Sequence, residues 1–181
     1  RQFRNIYKKA VMLKGDKVEL RAWQEEDVAT MKMIRNDVRL QEALMSEARP
    51  NSIERTRQWL SEKTQHPDTR FFVIASTDKN QPIGFVQVTD INRRSGWGYL
   101  GICLIPSQQA KGLGSKVLNL LENYLIQVTG LRKLLLYVVG NNVPAIKLYK
   151  KYGFKEVGVL KAHYKQSTGY QDVMLMEHLL A

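Results

Sequence analysis

The passage from Gly96 to Gly130 constrains the fold more than any other part of this chain. Gly96 to Ile105 reads as a strand, stopped by Pro106, which has no N–H to give to a ladder. Gln109-Ala110-Lys111-Gly112-Leu113-Gly114 follows. Leu113, Val117, Leu120, Leu121, Tyr124, Leu125 and Val128 then recur at helical spacing, and Gly130 ends the run. Glycines at a strand-to-helix junction let backbone N–H groups approach an anion with no Cβ in the way. The helix behind them adds unpaired donors and the positive end of its dipole. Gln109, Ala110, Lys111, Gly112, Leu113, Gly114 and Ser115 are therefore candidate ligands of a phosphate or pyrophosphate. An ordinary tight turn satisfies the same pattern. A Walker A loop is excluded, and Val117 stands where a dinucleotide fingerprint needs its third glycine.

A second signal is Asn142-Val143-Pro144-Ala145-Ile146-Lys147-Leu148-Tyr149, closed by Gly153-Phe154. Asn142 suits an N-cap and Pro144 a first helical turn. Ala145, Ile146, Tyr149 and Tyr152 share one face of that helix, while Lys147, Lys150 and Lys151 point elsewhere. Spacing alone fits Tyr149 as a core aromatic and Asn142 as a plain cap.

The remaining elements follow from period. Val18, Leu20 and Ala22 alternate with polar neighbours, as a strand requires. Glu25-Glu26-Asp27 places acids at the start of a helix reaching about Asn36. Asn51 with Glu54 resembles a capping box for a second helix. Strands are expected over 70–75, 83–91, 134–139, 155–164 and 170–179, the last two joined by a hairpin loop at Gln166-Ser167-Thr168-Gly169. The order β-α-α-β-β-β-α-β-α-β-β predicts an α/β (α+β) domain with a mixed sheet flanked by helices. It occupies residues 17–181, behind an N-terminal extension over residues 1–16.

Composition narrows the function. The net charge of +11 is spread without a block of five like charges, so a nucleic-acid tail is not expected. No apolar run approaches the ~20 residues that cross a bilayer, and the apolar stretch 10–13 is short for a signal peptide. Cys103 is the single cysteine and sits in a buried strand, which favours an inert thiol. His66, His163 and His178 lack metal-ligand spacing, so no metal is expected. A cytoplasmic enzyme fits these features.

Taken together, the two motifs resemble the GNAT superfamily of N-acetyltransferases. Gln109-x-x-Gly112-x-Gly114 matches its acyl-CoA motif, and Asn142-x-x-Ala145-Ile146-x-Leu148-Tyr149-x-x-x-Gly153-Phe154 its second block. The resemblance implies a splayed, mostly antiparallel mixed sheet and acetyl-CoA as co-substrate. Its pyrophosphate is expected on the turn from Gln109 to Ser115, with the lysines around Lys147 near the 3′-phosphate. Its pantetheine is expected beside Cys103, Leu104 and Ile105, in reach of Asn142. Tyr149, contacting the same cofactor, is the implied acid for the departing thiolate, and the Leu104 N–H the oxyanion donor. Many members carry a glutamate base in the strand occupied by Gly98-Tyr99-Leu100-Gly101; here Tyr99, or a water chain through it or Asp90, takes that place.

The acceptor side is similar to a branch acting on amino-sugar nucleotides, ribosomal-protein N-termini and spermidine. Leu20-Arg21, Asp27, Arg35-Asn36-Asp37, Trp59, Asp90-Ile91-Asn92 and Trp97-Gly98-Tyr99 carry that similarity. Arg35, Asn36, Asp90 and Trp97 become candidate acceptor contacts. A small-molecule amine, foremost an amino-sugar nucleotide, is the implied acceptor. A ribosomal-type N-terminal acetyltransferase, a spermidine acetyltransferase and a non-catalytic acyl-CoA-binding module are the alternatives. Family members are often homodimers.

Overall fold

Alternating burial along the strands sorts the apolar residues into two layers. In the computed structural model, which describes residues 12–180, eight strands form one sheet. They are β1 (Met12–Lys14), β2 (Val18–Arg21), β3 (Arg70–Ser76), β4 (Pro82–Asn92), β5 (Trp97–Leu104), β6 (Lys133–Val139), β7 (Lys155–Gln166) and β8 (Gly169–Leu179). Their spatial order is β1-β2-β3-β4-β5-β6-β8-β7. Every neighbouring pair is antiparallel except β5 and β6, so the sheet is mixed and mostly antiparallel, as expected.

Among the described residues five α-helices cover it: α1 (Val28–Asn36), α2 (Val38–Ala43), α3 (Ile53–Gln65), α4 (Leu113–Tyr124) and α5 (Val143–Tyr152). Because successive strand residues face opposite sides, Phe72 and Ile74 join α4 and α5 in one apolar cluster. Phe71 and Val73 join α1, α2 and α3 in the other, with Phe85 and Cys103.

Several expectations change. Met12–Lys14, inside the expected extension, is an edge strand on β2; residues 1–11 lie outside the described residues. The acids at 25–27 form a separate 3₁₀ turn ahead of α1. Asp27 there is fully buried against Arg21, which donates to it from both terminal nitrogens at 2.7 and 3.0 Å. The pair thus braces β2 against the first helix and does not face an acceptor. Asp37 breaks the helix with extended backbone and caps α2, its side chain accepting from the Leu40 N–H. Ser52, not Asn51, caps α3 by accepting from the Arg55 N–H. The helix of the first motif turns α-helical only as far as Tyr124; a wider π turn over Leu125–Thr129 carries it to Gly130.

At the far edge of the sheet, β7 exposes Val157, Val159 and Leu160. No described helix is long and apolar enough to cross a membrane.

Candidate functional site

The parallel pairing of β5 and β6 lasts for only three residues, Trp97↔Lys133 to Tyr99↔Leu135. Both strands run on, β5 to Leu104 and β6 to Val139. They separate beyond Tyr99, and a cavity of about 1600 Å³ opens there. Its walls come from the end of α1, α2, the loop before α3, α3, β4, β5, β6, the 106–115 turn and α5.

Pairing decides which backbone groups face the gap. The Ile105 N–H donates to the Ile83 carbonyl at 2.9 Å. In an antiparallel ladder such pairs alternate, so Cys103 and Gly101 also turn their backbone groups towards β4. Leu104 and Ile102 turn theirs towards the gap. Of the three residues expected to offer backbone groups, Leu104 alone does so. Cys103 lines the cavity without a free backbone group, and Ile105 is absent from the wall. The Leu104 carbonyl already accepts from Gln109 Nε2 at 2.8 Å, which leaves its N–H as the open donor.

The glycine turn divides its work. Gly112 has φ of 73° and nothing near the place where a Cβ would sit. It is the left-handed start of α4, which carries no side-chain cap, so the first-turn N–H groups await a partner. Gly114 answers to packing instead: a Cβ there would lie 2.6 Å from Leu148 Cδ2, so glycine lets α4 close on α5. Ala110, Leu113 and Ser115 line the same wall, as do Lys147 and Lys151. The Lys111 side chain is exposed and outside it.

Asn142 lines the cavity and caps α5, accepting from the Ala145 N–H at 3.4 Å. Tyr149 is only 8% exposed yet borders the cavity. Burial, and secondarily Cys103, raises its phenol above the ordinary value, so it stays protonated at working pH. Burial likewise pushes the Cys103 thiol up to about 12. A thiol that holds its proton to that pH is no nucleophile.

Tyr99 lies in the wall, stacked on Tyr137 at 5.4 Å. Its hydrogen bond to Tyr137, then burial and the Tyr137 and Asp90 charges, raise its pKa. A phenol whose pKa is raised holds its proton more firmly than a free one, so Tyr99 fits a water chain better than the role of direct base. Asp90 also lines the cavity, at a bulge in β4 and with φ of 51°. Such bulges re-aim side chains.

Arg35 reaches the cavity, but Asn36 and Trp97 do not. Asn36 trades hydrogen bonds with Asn51, Nδ2 to its carbonyl at 3.1 Å and Oδ1 from its N–H at 2.8 Å. It holds Asn51 in the wall. Trp97 packs edge-on against Tyr99 at 5.7 Å. Sequence reasoning missed Asn51, Arg55, Lys63 and Gln87, all in the wall. Gln87 carried a faint signal as a polar residue within the apolar run Ile83–Val88. Among the described residues no group of His, Cys, Asp and Glu could hold a metal ion.

Comparisons with known proteins bear on this geometry. The family model described as an acetyltransferase (GNAT) domain matches residues 20–175. A spermidine N(1)-acetyltransferase of Vibrio cholerae is 33% identical over 107 residues, 59% of this chain and 61% of that protein. A crystal structure of spermidine N-acetyltransferase from Vibrio cholerae, in complex with CoA and spermine, superposes with a TM-score of 0.83 at 25% identity, covering 90% of this chain and 95% of that one. A ribosomal L7/L12 α-N-protein acetyltransferase in complex with coenzyme A superposes at 0.81 with 20% identity, covering 93% and 98%, a likeness of fold.

Proposed function

Since this chain belongs to the GNAT acetyltransferase family, we propose that it acetylates the primary amine of a small molecule in the cleft between β5 and β6. It is an acetyl-CoA-dependent N-acetyltransferase. One observation carries the reading of the site: the open Leu104 N–H, the Tyr149 phenol and the uncapped start of α4 converge on one cavity.

Bound acetyl-CoA supplies an acetyl thioester that a neutral amine attacks directly, with loss of the carbon–sulfur bond. The first-turn N–H groups of α4 and the backbone at Gly112 bind its pyrophosphate. The Leu104 N–H donates to the carbonyl oxygen as charge develops there, a contribution of about 3 kcal/mol for such a donor. Tyr149 faces the sulfur that leaves. Outright proton transfer from a phenol above its usual ~10 to a thiolate of ~8.5 runs uphill. Its phenol therefore acts by donating a hydrogen bond to the sulfur, not by surrendering its proton. The amine loses its own proton through water towards Asp90, the carboxylate in the wall beside Tyr99.

The named spermidine acetyltransferases support a polyamine acceptor over the amino-sugar nucleotide expected from sequence. The ribosomal-protein alternative has fold likeness behind it. Release of free CoA should be followed with spermidine, an amino-sugar nucleotide and N-terminal peptides in turn. Release with one small amine is the expected result. Tight acetyl-CoA binding with no release for any amine would instead favour the non-catalytic module.

A cytoplasmic setting, where acetyl-CoA is at hand, belongs to the same reading. So does a homodimer, for which the exposed edge of β7 offers unpaired backbone and apolar side chains. Light scattering that finds only monomer at micromolar concentration would remove it.

A further inference from the structure

Glu122 sits in the last turn of α4 and reaches towards α5 and β8. Its Oε2 accepts from the Tyr152 hydroxyl at 2.5 Å, and His178 Nε2 lies 3.3 Å from the same oxygen. The Glu122 and His178 side chains are each only 16% exposed. A leucine in this place would carry no desolvation cost, so the carboxylate needs a reason beyond packing. Hydrogen bonds supply one. They fix direction, whereas apolar contacts let neighbouring surfaces slide and turn.

The direction fixed is that of α5. Tyr152 follows Tyr149 by three residues, on the same side of the helix. Anchoring the Tyr152 hydroxyl therefore sets the rotation of α5 about its axis, and with it the aim of the Tyr149 phenol. Among the described residues no hydrogen bond holds the Tyr149 hydroxyl itself, so its aim depends on the helix that carries it. Leu148 against Gly114 fixes the approach of the same two helices nearer the start of α4.

His178 braces this anchor from the sheet, where β8 pairs it with Leu134 of β6. Its ring centre lies 5.3 Å from that of Tyr152 and 5.0 Å from that of Phe154, and Phe154 lies 5.6 Å from Tyr149. A Cβ at Gly153 would come 3.3 Å from His178 Cε1, so glycine lets α5 end directly on that ring. One aromatic cluster thus joins the hydrogen-bonded anchor to the tyrosine in the cavity wall. Burial, and then Glu122, raises the Tyr152 phenol, which keeps it a donor. Tyr152, Glu122 and His178 all lie outside the cavity lining.

We propose that Tyr152, held by Glu122 and braced by His178, is a positioning residue for Tyr149, so that a contact outside the cleft governs departure of the thiolate. This rests on the reading in which Tyr149 faces the sulfur that leaves.

The whole protein is assayed by CoA release with spermidine at saturating acetyl-CoA. Tyr152→Phe is expected to lower kcat about tenfold, with the KM for spermidine and the Kd for acetyl-CoA within about twofold. In a Tyr149→Phe background the same change should cost less than about twofold, because no hydroxyl is then left to aim. A purely structural residue would cost the same factor in both backgrounds. Glu122→Gln, which still accepts from the phenol, should recover most of the kcat that Glu122→Leu loses. Circular dichroism and melting check the folding of each variant. Equal factors in the two backgrounds, or no recovery in Glu122→Gln, would overturn the proposal. A Tyr149→Phe protein with the parental kcat would remove the role of Tyr149 itself, a separate failure that takes the proposal with it. Fluorine NMR of fluorotyrosine-labelled, CoA-bound protein reads the positioning without turnover. The Tyr149 signal, assigned by its loss in Tyr149→Phe, should move in Tyr152→Phe and Glu122→Leu and return towards its parental place in Glu122→Gln. An unmoved signal in Tyr152→Phe overturns the proposal. A moved signal with no turnover of any amine would count against acetyl transfer and leave the positioning standing.

Discussion

Tyr149→Phe lowers kcat by about 10²-fold and leaves the Kd for acetyl-CoA within about twofold. The substitution removes one hydroxyl and keeps the ring that packs on Phe154 at 5.6 Å. Since Tyr149 is buried in the wall of α5, the cavity should keep its shape. The lost interaction is one made to developing negative charge on sulfur, so it belongs to the transition state more than to the bound co-substrate. Such a change lowers kcat and kcat/KM together. Steady-state kinetics and a binding titration on the same preparation separate the two effects. A kcat equal to that of the parent protein would strip Tyr149 of any role in departure of the thiolate and return it to the core.

The second large effect falls on stability. Asp27→Ala lowers the free energy of unfolding by about 3–5 kcal/mol. Arg21 is 2% exposed and Asp27 0%, and their two hydrogen bonds form a fork. Asp27 Oδ2 also accepts from the Gln24 N–H at 2.7 Å. Truncation therefore orphans a backbone donor and leaves a buried guanidinium with Asn80 and, at 3.8 Å, Glu19. A domain of this size commonly has about 5–15 kcal/mol in total, so the variant sits near the edge of folding. Urea denaturation gives the value directly. A loss below about 1 kcal/mol would mean that Glu19 takes over the pairing. Replacing both partners with leucine should cost less than Asp27→Ala alone, because no charge is then left buried without its partner.

The reach of sequence reasoning varied by residue. Gly112 was readable because a left-handed helix start is a local demand that glycine meets. Gly114 looked equivalent, but its cause lies across the fold in Leu148. Leu104 was named from the resemblance as the oxyanion donor and grouped with Cys103 and Ile105 beside the pantetheine; the phase of pairing with β4 gives the physical reason it differs from those two. Arg21 and Asp27 were read as part of an acceptor signature. Buried together, they brace β2 against the turn before α1. Arg55, Trp59 and Lys63 had visible spacing, yet a charged stripe on a helix ordinarily faces water.

The sequence by itself determined most of the element types, the mixed sheet and the family motifs, and it named the residues expected to hold the donor. Those depend on periods of two and 3.6, on cap and turn residues, and on short spacings that any stretch of chain expresses locally. Only the tertiary structure decided where β5 leaves β6, which backbone N–H stays open, and that Arg35, Asn51, Lys63 and Gln87 meet in one wall. Those facts rest on strand register and on helices packed from distant parts of the chain. Local propensity is blind to contacts of that range, and this part of the cavity wall is built from them.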